Sequence, residues 1–343
     1  MPHARLAPLA LALAFAGPAA ATTGTLSVLT YNVAGLPAAV SSSKPEANHP
    51  QISPLLNAYD LVLVQEDFAY HDLLIADVAH PHQSTKDDSP GDFGIGLGDG
   101  LNTFSQLAFD GFTRVTWNDC FGLFTNGSDC LTPKGLSFQR HELAPGVALD
   151  VYNWHADAGN DEEDRAARRS NTRQLYDFIA AHSAGNAVLV LGDTNSRYTR
   201  EGDVLPEMLA AAGLTDVWVE LERGGVLPAI GSALTAGCAT DPSAGDCERV
   251  DKILYRSSEA LRLEALDHEV LAALFTDAAG EPLSDHDPVY ALFRYTVVPE
   301  PGTTALLCVG LAALSRTRRI LPQRLSRGEG STIAAGRPAT SPN

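Results

Sequence analysis

The sequence predicts an α/β fold built in layers. Three stretches carry that reading. Val188-Leu-Val-Leu-Gly-Asp-Thr-Asn195 opens with an unbroken apolar run, as in a strand buried on both faces. Leu61-Val-Leu-Val-Gln-Glu66 repeats the pattern and ends in an acid. Between them, residues 161–182 read as a helix: Asp161, Glu162, Glu163 and Asp164 favour the dipole in its first turn, and Leu175, Phe178, Ile179 and His182 recur at helical spacing on a buried face.

Both ends read as addresses. Arg5, an apolar run from Leu6 to Ala16 and Ala19-Ala20-Ala21 form a secretory signal peptide cut near Ala21. The run is too short to span a bilayer. At the far end, Val298-Pro299-Glu300-Pro301-Gly302 precedes an apolar stretch, Thr303 to Leu314, and then Arg316, Arg318 and Arg319. This order resembles the PEP-CTERM sorting signal. The resemblance implies export from a Gram-negative bacterium, to the exterior or cell surface, with an exosortase as processing partner. The polar tail after Ile320 departs from that pattern, and its Gly, Ser, Pro and Arg content reads as disorder. The expected organisation is a signal peptide at 1–21, one folded domain at 22–298, the sorting signal at 299–319 and a disordered tail at 320–343.

The formal charge is −18, and the basic terminal segments leave the core more acidic still. Such a core repels polyanions unless a metal or a local patch compensates, which weighs against tight nucleic-acid binding but not against turnover of DNA. Of five cysteines, Cys308 lies in the sorting segment. Cys120 with Cys130 and Cys238 with Cys247 form two close pairs, which in an exported chain read as local disulfides. Neither pair has the short spacing of a zinc site.

In chain order, Leu26 to Asn32 alternates as a strand, and Ile52, Leu55, Leu56 and Tyr59 mark a helix over 48–59. Glu66 closes the next strand and belongs at its mouth or in a pair, because a lone buried carboxylate is costly. Residues 83–100 read as a solvated loop; Asp87, Asp88, Asp92 and Asp99 match no calcium loop. Phe104, Phe109, Phe112, Trp117, Phe121 and Phe124 suit either a strand pair with aromatics packed inward or an exposed hairpin that touches lipid. Thr132-Pro-Lys134-Gly135 precedes a strand over 136–141, and the strand over 147–153 delivers Asn153-Trp154-His155. A short helix spans 203–212, and Arg249-Val250-Asp251 opens a strand over 252–255. Ser284-Asp285-His286-Asp287-Pro288-Val289 leads into the last strand, which ends near Val298.

Strand ends at 32, 66, 155, 193–195, 251 and 285–286 therefore collect Asn, Glu, His, Asp, Asn, Asp, Asp and His. In the Gly192 stretch, Asp193 and Asn195 point to one side, where an amide donates to a phosphoryl oxygen and a carboxylate accepts a proton or faces a metal. The ordered set Tyr31-Asn32, Gln65-Glu66, Asn153-x-His155, Gly192-Asp193-x-Asn195, Arg249-x-Asp251 and Ser284-Asp285-His286 resembles the endonuclease/exonuclease/phosphatase superfamily. That resemblance covers nearly all of the exported core. It implies two mixed β-sheets packed as a sandwich and flanked by helices, the four-layer deoxyribonuclease I-like fold, with the site at one edge.

The resemblance also implies roles. Glu66 would be the main ligand of a divalent cation, with Asn32 and Asp285 nearby. Oxygen ligands and a phosphate substrate suit magnesium, with manganese or calcium as alternatives. His286 would be the general base and Asp251 would orient its ring, although Asp193 is the base in another account of the family. Asp193 and Asn195 would hold the attacked phosphoryl group and the nucleophile. His155 would stabilise developing charge or protonate the leaving oxygen. Lys134-Gly135 resembles the lysine–glycine pair of the sphingomyelinase and inositol-phosphatase branches, so Lys134 and Asn153 are placed at the substrate phosphate. Lys252 stands where relatives often carry an aromatic residue.

The expected activity is that of a monomeric, metal-dependent phosphoester hydrolase, most simply a phosphodiesterase acting on a phospholipid or a small phosphoester, with transient membrane-surface contact. A secreted endonuclease acting on nucleic acid is the alternative within the fold. A non-catalytic surface-binding protein is the alternative of another class, and it would have no need of both histidines and Asp251.

Overall fold

The computed structural model describes residues 21–299, without 38–40, 92, 93, 95, 124, 125, 235–237 and 239. The expected signal peptide, the sorting signal from Glu300 onward, the tail, Asp92 and Phe124 lie outside the described residues. The chain runs β1 (Thr22–Asn32), α1 (Pro45–Leu55), β2 (Leu61–Gln65), α2 (His71–Leu74), β3 (His82–Gln83), β4 (Asn102–Ser105), β5 (Asp110–Thr116), β6 (Gly135–Ala144), β7 (Val147–His155), α3 (Glu162–His182), β8 (Ala187–Asp193), α4 (Leu205–Ala212), β9 (Thr215–Asp216), α5 (Val217–Arg223), β10 (Asp251–Arg256), β11 (Leu261–Val270) and β12 (Val289–Val297).

β8 shows how the layers arise. It is buried along its whole length, and its pleat divides its side chains between two cores. Leu189 and Leu191 point inward, onto Leu26, Val28, Leu61 and Leu63 of the opposite sheet. Val188 and Val190 point outward, into a core with Leu175 and Ile179 of α3 and Leu205 and Leu209 of α4. The opposite sheet behaves likewise: Leu29, Tyr31, Val62 and Val64 turn away from the sandwich onto Ile52 and Leu56. The result is helix, sheet, sheet, helix.

Each sheet has six strands, ordered β11-β12-β1-β2-β4-β3 and β5-β6-β7-β8-β10-β9. In each, one pair is parallel, β1 with β2 and β7 with β8. The parallel pairs bring the carboxyl ends of four strands to one edge, where Asn32 pairs in register with Gln65 and His155 with Asp193. The antiparallel strands β10 and β12 begin at that same edge, because Asp251 lies opposite Asp193 and Val289 opposite Thr30. Topology alone therefore gathers every strand end named above.

Both expected disulfides are formed, Cys120–Cys130 and Cys238–Cys247. α3 starts as its acids suggest, with a capping box between Asp161 and Asp164. Several expectations need correction. β4 and β5 belong to different sheets, so the aromatic stretch is neither an inward strand pair nor a lipid-facing hairpin. Phe104 and Trp117 are buried in separate cores, and Phe109 packs on Phe112 and His141. His182 is exposed and stacks on Phe178 instead of entering the core. Nor is the 83–100 loop solvated throughout: Asp99 is buried and pairs with Arg114, which also holds the backbone at Thr85 and Leu101. No described helix is long and apolar enough to cross a membrane.

Candidate active site

Each site residue owes its position to the end of a strand. Gly192 is required in β8 because a Cβ there would collide with the Trp154 carbonyl of β7. The close approach sets Asp193 beside His155. Beyond β1 and β2, Ala34 and Glu66 adopt positive φ, and Asn195 does so beyond β8. Left-handed backbone at non-glycine residues costs energy and concentrates at functional sites. Here it turns the Glu66 and Asn195 side chains toward the shared edge.

The two sheets meet through polar side chains. Asn32 is buried, and its Nδ2 donates to Glu66 Oε1 at 3.1 Å and to Asp193 Oδ2 at 3.2 Å. His155 Nε2 lies 3.8 Å from Glu66 Oε1 and 3.5 Å from Asp193 Oδ2. His286 Nδ1 lies 2.9 Å from Asp251 Oδ2 and 3.1 Å from Oδ1, and its Nε2 is 3.6 Å from Asp193 Oδ2. The Asn195 backbone N–H donates to Asp193 Oδ1 at 2.9 Å, and its Nδ2 to Asp193 Oδ2 at 3.2 Å and the Ala156 carbonyl at 3.0 Å. Ser284 Oγ donates to the Asn32 carbonyl at 2.7 Å, tying the His286 segment to β1.

Other expected residues stand differently. Asn153 is buried with its side chain spent inside the protein: it accepts from Gln65 Nε2 at 2.7 Å and donates to the Val64 and Asn102 carbonyls. It joins the sheets behind the site. Asp285 is exposed and receives a long contact from Ser284 Oγ at 3.4 Å. Lys134 is buried in an ion pair with Asp129 at 2.5 Å. A cleft of about 280 Å³ opens beside it, between Pro90 and the Cys120–Cys130 disulfide. Gly135 is needed there because a Cβ would meet the Val115 carbonyl. Sequence reasoning missed Asp129, Gln65 as a sheet tie, and the ion pair of Arg249 with Asp287 at 2.5 Å. The last two lie inside the motifs quoted above; Asp129 has no such signal.

The electrostatics are those of crowded, buried acids. Burial raises the pKa of Glu66 and of Asp193, and the neighbouring charge of Asp251 pushes Asp193 further. Burial opposes charge on His286 too, yet Asp251 and Asp193 outweigh it and hold the ring well above its ordinary pKa. His155 is pushed well below its ordinary value by burial, then by Lys134 and His286, so its ring is neutral. Both ring nitrogens of His155 are buried without a hydrogen-bond partner. Orphaned donors and uncompensated carboxylates at one strand-end edge fit a divalent cation with a phosphate substrate. Asp193, Asp251 and His286 also present ligand atoms within 4.8 Å of one another, but His286 Nδ1 is already hydrogen-bonded to Asp251 there, so that grouping suits a paired imidazole and carboxylate as well as it suits a metal.

Comparisons with known proteins bear on the ends of the chain and on the fold. Residues 297–319 match the PEP-CTERM protein-sorting motif, which implies a secreted or cell-surface protein processed by an exosortase. Sphingomyelinases of Mycobacterium bovis and Mycobacterium tuberculosis are 37% identical over 278 residues, covering 80% of this chain and 53% of each relative. The chain thus spans about half the length of the curated relatives it matches. Among solved structures, sphingomyelinase C from Streptomyces griseocarneus is 22% identical with TM-score 0.52, covering 78% of this chain and 99% of its own. A beta toxin variant from Staphylococcus aureus with bound magnesium ions is 18% identical with TM-score 0.54, over 78% and 99% of the two chains. An endonuclease/exonuclease/phosphatase from Beutenbergia cavernae is 18% identical with TM-score 0.54, over 79% and 71%. Over the matched region the chain is similar to the mycobacterial sphingomyelinases, and it shares the deoxyribonuclease I-like fold of these solved structures.

Proposed function

We propose that this protein is an exported, magnesium-dependent phosphodiesterase that hydrolyses phospholipid headgroups. The observation that carries the reading is the His286–Asp251 pair, with the free edge of the ring turned to Asp193 across the sheet junction. Glu66 would hold the cation, with Asn32 and Asp285, and the bound ion would neutralise charge that develops on the phosphoryl oxygens. Asp251 fixes the His286 ring through Nδ1; the bound cation would offset the pull of Asp251 and Asp193 on the ring proton, leaving Nε2 to take the proton of the attacking water. Asn195 and Asp193 orient the phosphoryl group. His155, neutral and without internal partners, donates a hydrogen bond to the leaving oxygen. Lys134 lies at the cleft where the substrate phosphate would enter.

Three observations favour lipid over DNA. The mycobacterial relatives carry the name sphingomyelinase. The chain is strongly acidic, which opposes binding of a polyanion. Four exposed large apolar residues gather between Leu221 and Ile230, with Val226 at 63% and Ile230 at 67% exposure. That stretch is tied by the Gly231 N–H to the Thr199 carbonyl, on the loop that carries Asn195. It suits transient contact with a lipid surface. The deciding experiment compares sphingomyelin, other phospholipids, DNA, RNA and a soluble p-nitrophenyl phosphodiester, each with magnesium and with chelator. Magnesium-dependent release of a phosphorylated headgroup is expected; cleavage of DNA without lipid turnover would replace this reading with the nuclease one.

A further inference from the structure

The catalytic pair spans two bodies that are anchored separately. On one side, the turn before β10 is fixed to its own sheet. Thr194 donates to the Val250 carbonyl from both its backbone N–H and Oγ1, at 3.1 and 2.7 Å, and Lys252 Nζ donates to the Arg249 carbonyl at 2.9 Å. Lys252 itself is buried over the rings of Tyr198 and Trp218. On the other side, the segment before β12 is fixed to β1 by Ser284 Oγ, which also accepts from the His286 N–H at 3.2 Å. Two side-chain pairs cross between these segments: His286 with Asp251, and Arg249 with Asp287 at 2.5 Å.

We infer that the Arg249–Asp287 ion pair is a positioning clasp that sets the distance and angle at which His286 meets Asp251. This rests on the reading of His286 as the base. The clasp flanks the pair on both strands of the crossing, two residues before Asp251 and one after His286. Pro288 disfavours helical backbone at Asp287, which narrows the directions from which its carboxylate can approach. The two side chains are 27% and 22% exposed, and ion pairs so near solvent contribute little to stability. A pair of that kind is better placed to align neighbours than to hold the fold.

The test uses the exported protein with magnesium and the phosphodiester it hydrolyses fastest. Asp287→Asn and Arg249→Gln should each lower kcat about 10- to 100-fold, the range for a misaligned catalytic group, with KM unchanged. Tm should stay within about 2 °C. Asp287→Glu, which keeps the charge, should recover most of the rate. The double variant Arg249→Gln/Asp287→Asn should be no slower than the slower single. Wild-type kcat in either single variant, or losses that multiply, would overturn the clasp. An independent readout needs no turnover: the proton on His286 Nδ1 should give a sharp downfield NMR resonance in the wild type and a broadened one in Asp287→Asn. Equal sharpness in both refutes the clasp even for a protein that hydrolyses nothing, whereas absence of turnover in the wild type refutes the proposed activity alone.

Discussion

Asp251→Asn probes the catalytic pair through a change of one charge and almost no volume. His286 Nδ1 sits 2.9 and 3.1 Å from the two carboxylate oxygens of Asp251. A hydrogen bond to a charged group contributes about 1.5–3 kcal/mol. Lost from the transition state, that corresponds to a fall in kcat of about 10- to 150-fold. His286→Ala removes the proposed base and should cost about 10²- to 10⁴-fold. The pH dependence carries a sign. If His286 is the base as proposed, the neutral ring is the active form, so activity should be present above the ring's pKa and disappear as pH falls through it. Asp251 raises that pKa. The acid limb of the Asp251→Asn profile should therefore move to lower pH while the plateau drops. A bound cation repels the protonated ring and shifts the limb the same way. Profiles of kcat/KM against pH, at saturating magnesium, measure all of this for the wild type, both singles and the double. The double should be no slower than His286→Ala, since both changes act through one imidazole. Losses that multiply, or an acid limb that moves upward in Asp251→Asn, would refute the pairing.

Glu66→Gln should abolish turnover and yet raise Tm in chelator at neutral pH. Burial raises the Glu66 pKa, so the acid favours the fold below its ordinary pKa and loses that contribution as pH rises through the folded value. Magnesium should raise the wild-type Tm, by about 2.7 kcal/mol of stability at a hundredfold excess over Kd, and should do little for Glu66→Gln; differential scanning fluorimetry reads both. Reduction of either disulfide should cost about 2–3 kcal/mol by loop-closure entropy, and non-reducing peptide mapping should find Cys120 with Cys130 and Cys238 with Cys247. Val226→Ser/Ile230→Ser should slow hydrolysis of vesicle lipid several-fold and leave a soluble phosphodiester unaffected; equal effects on both would remove the lipid-contact role. Mass spectrometry of protein from its native host should show loss of the first ~21 residues, as for a signal peptide, and an end near Pro301.

Legibility varied with the cause of order. β2 and β8 were plain because burial on both faces writes itself as unbroken apolar runs. β11 went unread although Leu261, Leu263 and Ala265 alternate, because a bulge between Ala265 and Asp267 shifts the register and moves the later residues out of phase. α5 went unread because Val217-Trp218-Val219 looks like strand; Asp216 overrides that preference by accepting from the Trp218 and Val219 N–H groups as a cap. The site residues were visible as polar strand ends, and the topology explains why such ends coincide. Asp129 was invisible since its role depends on a buried lysine brought to it by the fold. Asn153 shows the opposite limit: its motif position was readable, but its attachment to Gln65 and to two backbone carbonyls was not.

β12 has a bearing on when this protein becomes a protein. It is the last described strand, and it lies between β11 and the first strand, β1, paired with both along nearly its full length. Thr22 meets Val297 at one end of that ladder and Thr30 meets Val289 at the other. A growing or translocating chain that has not yet delivered residue 289 holds β1 with one edge open, and it has only just delivered His286. The sheet closes and His286, the proposed base, arrives within the same few residues, directly ahead of the sorting motif that begins at 297. On the proposed reading, hydrolytic competence would be withheld until almost the whole segment has emerged, and any cut upstream of Val297 would erode the ladder before it touched the candidate site.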